Sequence, residues 1–316
     1  MSPLALVTQA MQIIAAIAAA PLFLGWVNQC HAWLQNRRAP SLLQPYRNIR
    51  KLFHKDAVLA EHASALFRVA PYVVFSAMVL TAAIIPSMGT RLPLAIAADS
   101  IALVGLLATA RMFLSLAAMD VGTAFGTLGA RREMMIGFLA EPALLMVIFV
   151  AALISQSTSL ATITERLGGA TLALYPSLAF TAVAFTLVLL AENARIPIDN
   201  PATHLELTMI HEAMLLEYSA RHLALMEWAA ALKLFNYACI GFALFLPWGV
   251  ATQHQGPAEL LVSVPILAVK LLAAGAGLSL IETVSAKLRV FRAPELLATA
   301  FLFAVLGLLV HLLLGA

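Results

Sequence analysis

Residues 134–155 read MMIGFLAEPALLMVIFVAALIS. One carboxylate, Glu141, interrupts an otherwise uncharged run. A helix of ~20 residues, rising ~1.5 Å per residue, spans the ~30 Å hydrocarbon core of a bilayer. A helix on a water-soluble domain shows an apolar stripe with a polar back, and this stretch has no polar back. It therefore reads as a transmembrane helix. Seven further stretches qualify, at 4–26, 71–89, 100–119, 173–191, 223–248, 259–281 and 295–315. The expected fold is all-α, a polytopic membrane helical bundle of about eight transmembrane helices.

Composition agrees. Of 316 residues, 62% are hydrophobic and 11% charged, where a soluble domain carries about 25% charged residues. The length would allow roughly two soluble domains, but no polar stretch is long enough to be one. The reading is a single integral membrane domain over 1–316. The N-terminal segment has no Lys or Arg before Arg37. It lacks the positive region of a signal peptide and is expected to be a retained helix.

The net charge of +3 is small, but its distribution is informative. Four longer connections, 27–70, 120–133, 192–222 and 282–294, hold Arg37, Arg38, Arg47, Arg50, Lys51, Lys55, Arg68, Arg131, Arg132, Arg195, Arg221, Lys287, Arg289 and Arg292. The alternate connections, 90–99, 156–172 and 249–258, hold only Arg91 and Arg166. By the positive-inside rule the four long loops face the cytoplasm and both termini lie on the non-cytoplasmic side. Within the first loop, LLQPYRNIRKLFHK at 42–55 places Leu42, Leu43, Tyr46, Ile49, Leu52 and Phe53 at helical spacing. Arg47, Arg50, Lys51, His54 and Lys55 fill the other side, as in an interfacial amphipathic helix. It can be a basic anchor for anionic lipid, a docking surface or the floor of a pocket.

Four ionisable residues sit near mid-membrane: Arg111, Glu141, Lys233 and Lys270. Each costs about 2.5–3.5 kcal/mol or more if it faces lipid. They are expected to face the bundle interior, to pair, or to line a hydrated path. Asp120, Glu133, Glu227 and Glu282 form a second tier nearer the basic loops. Static pairing would explain one buried pair; so many groups favour a relay along a hydrophilic axis.

The richest polar segment, ENARIPIDNPATHLELTMIHEAMLLEYSARH at 192–222, sets Glu192, Asp199, Glu206, Glu212 and Glu217 against Arg195 and Arg221. Asn200–Pro201 is a good cap and first-turn pair, so a helix is expected to start there. On it, Glu206 and Glu217 share a face and Glu212 points elsewhere. Interleaved Leu, Met and Ile residues need something to pack on, which suggests a partner protein. His204 and His211 are two turns apart, too far to share a metal ion comfortably. The chain lacks a phosphate-binding GxxxxGK[ST] and a nucleophile constellation. Cys30 and Cys239 cannot supply the usual four thiolates of an iron–sulfur cluster. No redox centre, metal or other cofactor is therefore expected in this chain, and no nucleic-acid partner.

Four stretches resemble one family: RRAPSLLQPYRNIRKLF at 37–53, MDVGTAFGTLGARREMMIGFLAEP at 119–142, ENARIPIDNPATHLEL at 192–207 and EYSARHLALMEW at 217–228. They are similar to the membrane subunit that respiratory complex I, an NADH dehydrogenase, shares with the energy-converting group-four nickel–iron hydrogenases, the formate hydrogenlyase branch above all. Order and spacing match over nearly the whole chain. Ala39 and Ala220 stand where the family patterns carry glycine. The resemblance implies an eight-helix bundle in a bacterial or archaeal plasma membrane, whose cytoplasmic loops dock an electron-transferring arm. The arginines Arg37, Arg38, Arg47, Arg131, Arg132 and Arg195 are the expected docking residues. The implied partners are hydrogenase-like large and small subunits, a ferredoxin-like iron–sulfur subunit and antiporter-like membrane subunits, with iron–sulfur clusters and a nickel–iron centre held by those partners. The resemblance also implies that Asp120, Glu133, Glu141, Glu192, Asp199, Glu206, Glu212, Glu217 and Glu227, with Lys233, couple redox chemistry to proton or sodium movement. Arg111 and Lys270 join this set by their depth alone. The alternatives are the quinone-site subunit of an NADH:quinone oxidoreductase, a stand-alone transporter and a purely structural anchor.

Overall fold

A computed structural model describes residues 3–60, 62–90, 92–94, 99–169, 175–196, 209–251, 257–286 and 292–314. In chain order these form α1 (Pro3–Leu34), α2 (Gln44–Phe53), α3 (Ala65–Ile84), α4 (Ser100–Asp120), α5 (Ala124–Ser155) and α6 (Leu160–Gly169). They are followed by α7 (Pro176–Glu192), α8 (His211–Leu215), α9 (Ala220–Phe245), α10 (Pro257–Val284) and α11 (Ala293–Leu314). Among the described residues, seven helices are long and apolar enough to cross a membrane: α1, α3, α4, α5, α9, α10 and α11. The eighth expected span is α7, shorter at 17 residues.

Local chemistry sets the starts. The Ser64 hydroxyl accepts from the Leu66 amide, Asp99 accepts from Ile101 and Ala102, and Thr123 accepts from Gly126. Each satisfies amides that the first helical turn leaves without a partner. Prolines in the first turn open α2 and α7.

Two expected loops are shorter than their polarity suggests. Thr123 caps α5 so early that most of the 120–133 connection is helix, and α1 continues from 27 to Leu34. Both helices have 32 residues, or about 48 Å, more than a bilayer core requires. Hydropathy detects where lipid ends, not where hydrogen bonding ends. The helix expected from Pro201 lies outside the described residues.

α9 is the hub. It packs on α1, α2, α3, α6 and α7, and its buried residues include Met226, Leu232, Phe235, Tyr237 and Leu244 on several faces. α3, α4 and α5 follow side by side, α7 and α11 close the far side of α5, and α10 leans mainly on α1. Small residues set the close approaches, as membrane packing requires. The amphipathic α2 buries Pro45 and Ile49 and exposes Arg47, Arg50 and Lys51. Gly25 lets the chain at Leu42 lie against α1, because a Cβ there would collide with the Leu42 carbonyl.

The 217–221 motif is a clamp. Tyr218 stacks on Phe67 with ring centroids 4.0 Å apart and donates its hydroxyl to the Phe67 carbonyl. Burial, and then the nearby Asp120 carboxylate, hold the Tyr218 phenol well above its ordinary pKa, so it remains a donor. The Ser219 hydroxyl donates to the Val58 carbonyl and accepts from the Val58 amide. The next residue, Ala220, has a φ of 47°, a left-handed value that disfavours any Cβ. Ala220→Gly is expected to stabilise the chain by about 1 kcal/mol, read as a higher unfolding temperature in detergent; an unchanged or lower one refutes the strain.

Candidate ion-coupling site

Glu133, Gly137 and Glu141 lie one turn apart in succession on one face of α5. The glycine leaves a gap between two carboxylates, and Arg111 of α4 lies across it. A Cβ on Gly137 would overlap the Arg111 Nη1 and stand 2.9 Å from its Cδ and 3.0 Å from its Cζ. From that position Nη1 is 2.9 Å from Glu141 Oε1, Nη2 is 2.7 Å from Glu192 Oε1 at the end of α7, and Nε is 3.8 Å from Glu133 Oε1. Lys233 of α9 approaches the other Glu192 oxygen at 2.9 Å. His211 of α8 places Nδ1 3.4 Å from Glu133 Oε2. Tyr237, one turn along α9 from Lys233, is fully buried.

Arg111 is 7% exposed, Glu133 1% and Glu192 2%. Three carboxylates face one guanidinium, Arg111, and one ammonium, Lys233. Ionisable groups this close are electrostatically coupled, so a charge gained or lost at one alters its neighbours. One guanidinium contacts carboxylates from two other helices, so moving a charge at one end alters every pair.

A cavity of about 490 Å³ adjoins the cluster. Glu192, Lys233 and His211 line it together with His31, Arg195 and Glu282. Glu282 Oε2 lies 3.1 Å from His31 Nδ1, and its Oε1 lies 3.4 Å from Arg195 Nη1. Glu212 also lines this space. The cavity thus joins two ionisable groups at the end of the bundle that carries the basic loops.

The structure brings together Arg111, Glu133, Glu141, Glu192 and Lys233, with Glu212 and Arg195 at the cavity. It leaves other expected members apart. Asp120 accepts from the Ser64 amide at 2.9 Å and so supports the start of α3. Glu227 lines a separate cavity of about 290 Å³ beside Gln44 and Asn48 of α2. Glu217 is half-buried in the clamp turn. Lys270 does not face the cluster: it donates to the carbonyls of Leu246, at 2.6 Å, and Trp248. There it satisfies the open carbonyls at the end of α9, where a cation is favoured. Asp199 and Glu206 lie outside the described residues. Of the expected docking arginines, Arg37, Arg38, Arg47 and Arg131 are exposed. Arg132 instead donates to the Met209 carbonyl at 3.0 Å, tying α5 to the approach to α8.

Gly137, His31 and the pairing of His211 with Glu133 were not anticipated. Gly137 was legible from its place midway between two carboxylates. His31 and Glu282 meet across distant helix ends, and no spacing announces that.

The fold and the cluster define a class: an integral membrane subunit with an ionisable axis inside its bundle. The chain belongs to the NADH dehydrogenase family, which it matches over residues 8–313. It is similar to formate hydrogenlyase subunit 4 of Escherichia coli (strain K12), 33% identical over 298 residues, covering 94% of this chain and 95% of that protein. It is also similar to hydrogenase-4 component C of the same organism, 37% identical over 262 residues, covering 83% of this chain and 81% of that one. Among solved structures it is similar in fold to a chain of the membrane-bound sulfane sulfur reductase, an archaeal respiratory membrane complex. That match has a TM-score of 0.82 at 20% identity and covers 96% of this chain and 99% of the other.

Proposed function

We propose that this chain is the membrane-anchoring and ion-coupling subunit of a hydrogenase or formate-hydrogenlyase-type complex. It links electron transfer in docked iron–sulfur and nickel–iron subunits to translocation of protons or sodium. The observation that carries this is the Arg111 cluster, three carboxylates around Arg111 and Lys233, adjoining the cavity lined by Arg195, His31 and Glu282. A change of charge at that end of the bundle acts first on the residues around Glu192. A nearby charge shifts a carboxylate by about 1–3 pKa units, enough to load or release a proton. The basic loops then face the cytoplasm of a bacterial or archaeal cell, and Arg37, Arg38, Arg47 and Arg131 meet the partner arm.

Glu141 supports a membrane partner as well. It is the least buried of the cluster, its side chain 35% exposed, on the side of α5 where Phe138 and Leu145 are also exposed. A carboxylate left to lipid at this depth costs about 2.5 kcal/mol or more. A partner helix with polar groups, as in an antiporter-like subunit, removes that cost.

The test is a gentle detergent pull-down with mass spectrometry and metal analysis. Nickel, iron and a large subunit with paired CxxC motifs are expected to come with the chain. A chain that purifies alone and intact refutes the reading. In the assembled complex, Glu141→Gln is expected to leave electron transfer running while ions moved per electron fall severalfold. Unchanged coupling removes Glu141 from the path.

The space beside Glu227 favours a second reading, the quinone-site subunit of an NADH:quinone oxidoreductase. It lies between α1, α2 and α9, with Gln44 and Asn48 as polar groups. Quinone extracted from the purified complex, with NADH-oxidising subunits present, would select it.

A further inference from the structure

The buried face of α1 changes character along its length. Ala16, Ala20, Phe23 and Val27 are apolar. Thr8, Gln9 and Gln12, toward the end far from the basic loops, are polar and no more than 6% exposed. Hydrogen bonding between membrane helices explains half of what they do. α3 ends at Ile84, so its last carbonyls have no donors within the helix. Gln12 Nε2 donates to the carbonyls of Ala82, at 3.0 Å, and Ile85, at 2.6 Å, and Gln9 Nε2 donates to Ala83 at 3.0 Å. Gln9 Oε1 accepts from the Leu94 amide at 3.1 Å. From α9, Asn236 Nδ2 donates to the Met78 carbonyl at 2.9 Å.

The donor ends are accounted for; two acceptor ends are not. Gln12 Oε1 and Asn236 Oδ1 are buried and accept no hydrogen bond among the described residues. The two residues are 1% and 0% exposed. Their amide nitrogens donate to the carbonyls of Met78 and Ala82, which lie one turn apart on α3. Both free ends are acceptors, which a hydrogen-bond donor or a cation can satisfy. A water between them would satisfy both with its two hydrogens.

We propose that Gln12 and Asn236 hold a buried water between α1, α3 and α9, and that this water, with Gln9, is the far-side leg of the ion path. Asn236 adjoins Tyr237 in the chain, one turn from Lys233, and Gln9 reaches Leu94 at the other end of the bundle. Neither carboxamide titrates near neutral pH, so the water carries the proton. A proton given up by a carboxyl of the Arg111 cluster adds to the water's lone pair as one is passed on to solvent water at the Gln9 end, so the donor becomes a carboxylate while the bound water and both carboxamides are restored. The water site stands on its own geometry; its role in transport rests on the ion-coupling reading.

Hydroxyl-radical pulse labelling of the assembled complex in lipid nanodiscs tests the site. Radicals formed from a bound water oxidise side chains beside it even where bulk water does not reach. Met78 is 1% exposed and is expected to be oxidised in the native complex. Asn236→Leu and Gln12→Met are each expected to lower that labelling severalfold, leaving exposed Met134 unchanged. Gln12→Met is close to isosteric, so it keeps the test alive if Asn236→Leu fails to assemble. An unlabelled Met78, labelling indifferent to both variants, or protection of Met78 by sodium against choline overturns the water site. Ions moved per electron should fall in Gln12→Met with electron transfer intact. Unchanged coupling overturns the transport role even if Met78 labels. Loss of effect in Glu141→Gln alone counts against the Arg111 cluster and leaves the water site standing.

Discussion

Replacing Arg111 by leucine is expected to cost the bundle about 3–5 kcal/mol, the usual penalty for removing one partner from a buried ionic group. The magnitude follows from what remains. Glu192 keeps Lys233, but Glu141 loses its contact at 2.9 Å and Glu133 is left with His211 alone. Two carboxylates then sit near one another at low dielectric without a permanent cation. The chain must protonate them or admit water. Unfolding temperature in detergent is the first readout, and recovery of assembled complex is the second. Adding Glu141→Gln to Arg111→Leu should restore part of the loss, because it removes an orphaned charge. Arg111→Lys should fall between, since one ammonium cannot serve three carboxylates on two helices. A fully stable Arg111→Leu chain, or a double variant no better than the single, would show that the cluster is not held by charge.

Much of this was legible from residues 100–155. Apolar stretches long enough for lipid gave the helices, and the cost of a charge in lipid required Arg111, Glu141 and Lys233 to find partners inside. That argument identifies which residues must pair, but not with whom. Lys270 obeys the same rule differently: it satisfies main-chain carbonyls at the end of α9 instead of joining the carboxylates. Hydropathy cannot separate those outcomes, because both remove the ammonium from lipid. Glu192 and Glu282 come together with Arg111, His31 and Arg195 through helix ends that only tertiary packing brings near. Asp120, read as a relay carboxylate, lies apart from the Arg111 cluster, where it accepts from the Ser64 amide and sits near Tyr218. The described parts of the 192–222 segment, 192–196 and 209–222, bring Glu192 and His211 to the cluster through contacts that no sequence spacing announces.

Gly137 makes the most discriminating stability prediction because its expected sign runs against helix propensity. Alanine in place of a helical glycine ordinarily gains up to about 1 kcal/mol. Gly105 of α4 is such a place: a Cβ there meets nothing within 4 Å, so Gly105→Ala should stabilise modestly. At Gly137 the same methyl would overlap the Arg111 guanidinium. A free arginine could swing aside at little cost. This one is fixed at its tip by Glu141 and Glu192, and its neighbours in the bundle leave it 7% exposed. The guanidinium must then break an ion pair, or α4 and α5 must separate. Overpacking a well-fitted interior costs about 1–3 kcal/mol, which outweighs the propensity gain. Gly137→Ala should therefore lower the unfolding temperature, and ion coupling should weaken as Arg111 leaves its position. Measured side by side, the two glycines should move in opposite directions. If Gly137→Ala stabilises as Gly105→Ala does, Arg111 is free to move, and the view of it as the fixed centre of the cluster fails.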